Sequence, residues 1–483
     1  MKTPDTSRTG TDTSEAPPAR SGPGTSATAP DTSRTGTDTS EAPPARSGPG
    51  TSATDAALAL LRTGLDAATA ASLEACVRCN LCAESCHVFL TDREAASAPA
   101  AKVQQVARLY RRHRTASGAL LPRLTGARAL DDAVLAELVE GSFGRCSQCG
   151  RCTLNCAVGL DPAAAIRFGR ALVAAAGLVP AGITANVTAA LETGNSMRIG
   201  ADDVRETIAW LEDDLRSTTG DPSLSLPVDR RGARVLYALN PREIKFFPLS
   251  ISAAGALFHA AGESWTLSST DFDITNYGYF AADRAAAGEI ARHLYARAED
   301  LGVRTLVVAE CGHGYRSLRW EGPEYLRRTL PFEIRSFVEV LDDWLTAGRI
   351  RLDPAKNAAR VTLHDPCNLV RNGGVIEPQR RVLRAAAQDF VEMTPNREKN
   401  YCCGGGGGLL AASEFTARRI ATGRVKAEQI RRTGARVVVS PCHNCIDQLM
   451  ELNRHYALGV EVRTLAEVAA DALVTSPPAG TSL

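Results

Sequence analysis

Residues 434–445 read GARVVVSPCHNC, and the way this stretch is read decides the fold. A short run rich in valine, bounded by Gly434 and Pro441, is the pattern of a strand buried on both faces. Two cysteines follow it at once. Upstream, ARVTLHDPC (359–367) has the same shape, a β run that ends on a cysteine. Between the two lies helical sequence, SEFTARRIATGRVKAEQIRRTG (413–434). Strand, helix and strand in succession imply a parallel sheet with covered faces. The pattern then occurs a second time. ARVLYALNP (233–241) matches the first β run, GVRTLVVAECGHG (302–314) matches the second, AAAGEIARHLYARAEDLG (285–302) supplies a helix, and TNYG (275–278) parallels KNYCCG (399–404). The sequence therefore predicts two related α/β subdomains, 230–350 and 351–475, with ligands at the C-terminal ends of the strands.

N-terminal to these halves the pattern is helical. Residues 55–181 contain two cysteine clusters with the helices AKVQQVARLYRRH (101–113) and DDAVLAELVEG (131–141) between them. Asp161 as N-cap, Pro162 as first residue and Gly177 as stop frame a further helix. Residues 182–229 form a helical connector, including DDVRETIAWLEDDLR (202–216), and a linker, GDPSLSLP (220–227). Residues 1–54 hold the same 25-residue segment twice, at 4–28 and 30–54. With almost no large apolar side chain, this part reads as a disordered tail, and 476–483 as a second short one.

The chain of 483 residues carries a net charge of +1, which offers nucleic acid nothing to bind. RLYRRHR (108–114) is its densest basic run and reads as a solvated helix face, with docking to an acidic partner as the alternative. The most apolar window, 171–191, is rich in Ala and Gly and broken by Pro180, too weak for a spanning helix. With no secretory h-region at the N-terminus, the expected location is the cytoplasm, or the inner face of the cytoplasmic membrane through a partner subunit. Fourteen cysteines in a reducing compartment point to metal ligands or redox groups rather than disulfides.

Eight of these cysteines fall in two runs of identical spacing, C-x2-C-x2-C-x3-C. The first is Cys76, Cys79, Cys82 and Cys86; the second is Cys146, Cys149, Cys152 and Cys156. Three closely spaced thiolates wrap one iron–sulfur cube, and the fourth of such a run ligates the other cube. One cubane 4Fe–4S cluster would take Cys76, Cys79, Cys82 and Cys156, the other Cys146, Cys149, Cys152 and Cys86. Zinc is the alternative, but a fourth cysteine at x3, seen twice, does not help a tetrahedral site. His87 and Ala157 stand where a proline usually follows the fourth cysteine.

Five more cysteines lie in the last half: Cys367, the adjacent pair Cys402 and Cys403, and Cys442 with Cys445. The pair runs into five glycines, Gly404 to Gly408. Each cysteine follows a β run or sits at a glycine-rich turn, so all five can converge at one sheet edge. Here the sequence resembles the cysteine-rich CCG domain of heterodisulfide reductase. More narrowly, CCGGGGG, LHDPCN, ECGHGYR and AAGESWTLSS are similar to the heterodisulfide-reductase-D-like proteins of membrane redox complexes, with the DsrK type the best match and the TmcB and HmcF types close. The resemblance implies that the five thiolates hold a noncubane 4Fe–4S cluster, with Gly404, Gly405 and Gly406 letting backbone amides approach the sulfurs. The expected fold is then an all-α ferredoxin-like domain with two clusters followed by two CCG-type α/β subdomains, the first of them degenerate. In that first half only Cys311 remains, opposite Cys442. It is either a buried small residue or a thiol facing the cluster pocket, with His313 beside it.

The implied activity is oxidoreduction: electrons pass from an electron-donor partner through the cubanes and the noncubane cluster to a disulfide or trisulfide, or in reverse. The donor would be a membrane cytochrome b-type quinol oxidoreductase or a flavoprotein. The substrate would be a thiol or disulfide, a small protein among the candidates. Cys402 and Cys403 stand as catalytic thiolates and His364 or His313 as proton donors, since His313, His364 and His443 flank the cysteines. The rival reading is a relay subunit of a flavin-dependent glycolate- or lactate-type dehydrogenase, with no substrate site of its own. No dinucleotide fingerprint is visible, so any flavin belongs to a partner.

Overall fold

The computed structural model describes residues 52–474. The duplicated segment and the last nine residues lie outside that range, except that the expected tail at 1–54 runs two residues too far. Ala53 and Thr54 already belong to a helix, Ala53–Thr63, whose N-cap Ser52 accepts a hydrogen bond from Asp55 N.

Between residues 53 and 219 all the regular structure is helical, joined by loops that carry most of the cysteines of this part. Pro99–Arg114, Asp132–Val139 and Pro162–Ala175 form the body, and Asp161 caps the last of these through its side chain, as its sequence predicts. Their apolar stripes meet in one core of Leu61, Leu73, Val103, Val106, Leu135, Leu138, Phe143, Ile166 and Leu172. Helices Ala181–Thr193 and Ala201–Thr219 then lead to the sheets.

Among the described residues there are two sheets of four strands, all parallel. The first comprises β1 (Val235–Ala238), β2 (Trp265–Thr266), β3 (Thr305–Val308) and β4 (Glu333–Ser336), in the order β2-β1-β3-β4. The second comprises β5 (Arg360–Leu363), β6 (Asp389–Glu392), β7 (Val437–Val439) and β8 (Glu461–Arg463), in the order β6-β5-β7-β8. The two orders are the same, so the likeness of the two halves of sequence is a likeness of topology. β1, β3 and β7 are buried along their whole length, as apolar runs without alternation require. The sheets do not have separate cores. Side chains of both halves, from Val235 to Leu473, make one cluster, with Tyr237, Phe258, Trp265, Phe337 and Trp344 packed ring against ring on the first sheet.

In each sheet the strand order reverses between two central parallel neighbours, β1 and β3 in the first, β5 and β7 in the second. The crevice beyond the C-terminal ends of such strands is where open α/β sheets bind ligands. Cys367 follows β5, Cys442 follows β7 and Cys311 follows β3.

Candidate iron–sulfur and thiol site

The first four-cysteine group gathers in a hollow of the helical body. Cys76, Cys79, Cys82 and Cys156 line it together with Val77, Val103 and Leu160. Three come from the first cysteine run and the fourth from the second, the crossed set that the spacing suggests. Cys79 and Val77 are exposed, so this hollow lies at the surface. The other set, Cys86, Cys146, Cys149 and Cys152, lies deeper. Burial pushes the Cys152 thiol well up, and its neighbours Cys149, Cys146 and Cys86 push it the same way.

The five cysteines of the last half meet in the crevice beyond β5 and β7. Cys367, Cys402, Cys403, Cys442 and Cys445 line one cavity with His313, His364, Pro366, Asn368, Phe280, Gly406 and Asn444. Cys403 and Cys445 stand 3.4 Å apart. The thiols follow one another as a continuous series of neighbours. Cys402 has Cys367, Cys149 and Cys403 as thiol neighbours, Cys403 has Cys402 and Cys445, and Cys442 has Cys445 and Cys311. Cys403 and Cys442, each set between two other thiols, are held well below the usual thiol range. Cys367 and Cys445 are pushed up by their thiol neighbours and by burial, and Cys311 by burial and by Cys442. Two members lie outside the expected five. Cys149 brings the second four-cysteine group into direct contact with the crevice, and Cys311 reaches it from the first half.

A set of soft thiol donors lining one hollow, without a disulfide among the described cysteines, is what an iron–sulfur group needs. Two further observations fit. The buried Nε2 of His364 lines this cavity with no partner. Backbone amides also point at sulfur: Gly404 N lies 3.3 Å from Cys402 Sγ, and the amides of Gly405 and Gly312 bond Cys403 and Cys442. Gly404 and Gly405 thus stand where amides approach sulfur.

Further along the loop the glycines have another reason. A Cβ on Gly406 would lie 3.0 Å from Ser147 O, and one on Gly407, at φ +66°, 2.9 Å from Ser147 C. Ser147 follows Cys146 in the second cysteine run. The glycines let the loop lie directly on that run.

The histidines divide. Asn400 Nδ2 donates to His364 Nδ1 at 3.3 Å, and the orientation of Asn400 is fixed because Lys426 Nζ donates to its Oδ1 at 2.7 Å. The network therefore assigns the proton to Nε2, so His364 presents an N–H to the cavity. Burial pushes His364 down to about 3 and His313 to about 4, so both rings are neutral at pH 7. His313 Nδ1 is 3.2 Å from Cys311 Sγ, and its ring lies against Phe280. His443 does not line the cavity. It turns to the first half, where Nε2 meets Glu243 Oε1 at 3.2 Å. Burial lowers its pKa, but the Glu243 carboxylate outweighs this and raises it to about 9.

Sequence reasoning passed over Asn400, Lys426, Asn444 and Glu243, which carry no motif of their own. It also passed over Arg170. One signal was present: Ile166, Gly169, Arg170 and Val173 fall at helical spacing on one buried face, so an arginine stands in a core stripe.

Comparison with known proteins agrees with this division. Residues 72–160 match the family model of the 4Fe-4S dicluster domain, and residues 361–450 that of the cysteine-rich domain called CCG. An Hdr-like menaquinol oxidoreductase iron-sulfur subunit of Archaeoglobus profundus is 27% identical over 445 residues, covering 83% of this chain and 79% of the relative. The Hdr-like menaquinol oxidoreductase iron-sulfur subunit 2 of Archaeoglobus fulgidus is 28% identical over 448 residues, 83% of this chain and 80% of the relative. The D subunit of the dihydromethanophenazine:CoB–CoM heterodisulfide reductase of Methanosarcina barkeri is 26% identical over 415 residues, 83% of this chain and 94% of the relative. The chain thus carries a dicluster domain and a CCG domain and is similar along most of its length to heterodisulfide-reductase-D-like iron–sulfur subunits.

Proposed function

We propose that the chain is the catalytic iron–sulfur subunit of a heterodisulfide-reductase-type complex, reducing or forming a disulfide or trisulfide. Cys76, Cys79, Cys82 and Cys156 would hold one cubane 4Fe–4S cluster and Cys86, Cys146, Cys149 and Cys152 a second. Cys367, Cys402, Cys403, Cys442 and Cys445 would hold a noncubane 4Fe–4S cluster, with the first α/β half a degenerate copy of the second. When bound, these groups supply single-electron transfer toward a disulfide whose cleavage takes two electrons.

The observation that carries the reading is the cavity beyond β5 and β7. It is lined by five thiols, and the N–H of His364 has no partner inside it. A pure relay needs no spare donor there, so this favours a substrate-binding centre over the flavin-dehydrogenase relay. In this reading His364, held by Asn400, orients or protonates sulfur at the cavity, and His313 borders the same space. The exposed rim at Cys79 suits electron entry from a partner of membrane cytochrome b or flavoprotein type. Among the described residues no helix is long and apolar enough to cross a membrane, which leaves membrane attachment to such a partner.

The test compares Cys152→Ser with Cys403→Ser. Anaerobically purified protein should be brown and hold about twelve irons from three 4Fe clusters. Cys403→Ser should keep both reducible cubane signals in electron paramagnetic resonance and still accept electrons from an artificial donor. It should lose the signal that thiol substrate perturbs, and all disulfide chemistry. Full disulfide reduction by Cys403→Ser would replace this reading with the relay, and stoichiometric zinc with little iron would end both.

A further inference from the structure

Three arginines cross from the second cysteine run to the CCG half. Arg170 is fully buried. Its Nε donates to Ser142 O at 2.8 Å, its Nη2 to Cys146 O at 2.6 Å, and its Nη1 to Phe280 O at 2.8 Å and Gly407 O at 2.6 Å. Arg371 donates from Nη1 to Cys149 O at 2.7 Å, from Nε to Glu398 O at 2.6 Å, and from Nη2 to Asn400 O. Arg151, also buried, donates from Nε to Lys399 O at 2.9 Å and from Nη1 to Ser85 O, and lies over the Tyr401 ring at 3.9 Å.

Each of these acceptors is a neutral carbonyl. Among the described residues, no carboxylate lies within ion-pair distance of any of the three. The contrast within the chain is Arg380, equally buried but held by Asp365 and by Glu392, each at 2.8 Å. A buried cation without an anion is expensive, and neutral dipoles offset only part of that cost. Arg170 is charged nonetheless, because a guanidinium keeps its proton in proteins. The negative charge that answers it has to come from the groups on either side. Cys146 and Cys149 lie on one side. On the other, Lys399, Asn400 and Gly407 lie immediately around the Cys402–Cys403 pair.

We propose that Arg170, Arg371 and Arg151 are the counter-charges shared by the second four-cysteine centre and the CCG centre. They fix the contact between the two and raise the reduction potential of both. The proposal rests on the assignment of clusters to these cysteines made above. The forks act as positioning residues, because each joins a carbonyl of the second cysteine run or of Ser85 beside it to one of the CCG half. Their charge acts differently: an electron added at either centre increases negative charge beside a fixed cation, which favours the reduced form.

The experiment is a redox titration followed by electron paramagnetic resonance, with iron content measured on the same samples, for wild type, Arg170→Gln, Arg371→Gln and the two Lys variants. The Gln variants should keep their iron. Their second cubane and CCG centres should shift at least tenfold toward the oxidised form, about 59 mV for a one-electron couple. The centre at Cys76, Cys79, Cys82 and Cys156 should move less. The Lys variants keep the charge and lose the fork, so wild-type potentials are expected. Iron-loaded Gln variants with unshifted potentials would overturn the proposal. Should a Gln variant lose iron, the Lys variant at that position decides: a tenfold fall there means that geometry rather than charge sets the potential, and the proposal fails. Wild-type protein without iron–sulfur signals would instead sink the assignment of clusters, and the proposal with it.

Discussion

Replacing Gly407 with alanine separates two explanations for the glycine run. If the glycines serve only to present amides to sulfur, a methyl at 407 should cost no more than its backbone conformation does. The structure says otherwise. At φ +66° an alanine costs about 1–2 kcal/mol from crowding of Cβ against its own carbonyl. The added Cβ would also meet Ser147 C and O at 2.9 Å and Arg170 Nη2 at 3.0 Å. Two of these three are backbone atoms of a cysteine-bearing turn, which cannot swing aside as a side-chain tip does. Overpacking of this kind costs about 1–3 kcal/mol. The sum is about 2–5 kcal/mol, less about 0.5 kcal/mol gained from a stiffer unfolded chain. Gly374→Ala is the internal control. Its φ is +75°, yet nothing lies within 4 Å of the added Cβ, so only the backbone cost of about 1–2 kcal/mol applies. Urea unfolding of the two variants beside wild type reads the difference. Equal destabilisation would refute the claim that the loop is glycine-rich because it lies on Ser147.

Three further outcomes are expected. Arg380→Met leaves Asp365 and Glu392 without their shared cation, Asp365 itself being buried, and should cost about 3–5 kcal/mol in urea unfolding; a loss below about 1 kcal/mol would show that the ion cluster contributes nothing. Asp273 is buried, and although Ser196 N and Thr275 N bond its carboxylate, desolvation raises it from 3.8 to about 6. A raised carboxyl favours the protonated folded state, so its contribution is full below about pH 4 and is lost as pH rises through about 6, by about 3 kcal/mol. Stability measured from about pH 4 to about pH 7 should therefore fall more in wild type than in Asp273→Asn, and parallel profiles would contradict this. Removing residues 1–51 should leave cluster content and melting unchanged, whereas Ser52→Ala removes the cap of the first helix and should cost about 1 kcal/mol; loss of clusters on truncation would show that the removed segment is structural.

The local chemistry is legible in the order of the amino acids. Two runs at C-x2-C-x2-C-x3-C bring ligands together by short-range chain geometry, and β runs that end on cysteine place thiols at strand C-termini by topology alone. Helix boundaries such as Asp161 and Pro162 are readable because a cap involves only one side chain and the next turn. The tertiary structure decided what meets across the chain. It laid Cys149 against Cys402, brought Cys311 to Cys442, turned His443 away to Glu243, and drove Arg170 and Arg371 through the boundary between two domains. None of these has a spacing signature, because the partners lie far apart in the chain, 253 residues (402 − 149) for Cys149 and Cys402, and are joined only when the helical body and the two α/β halves pack together. Sequence periodicity says which face of an element is buried; what it is buried against depends on how whole elements pack, and that is a property of the assembled core.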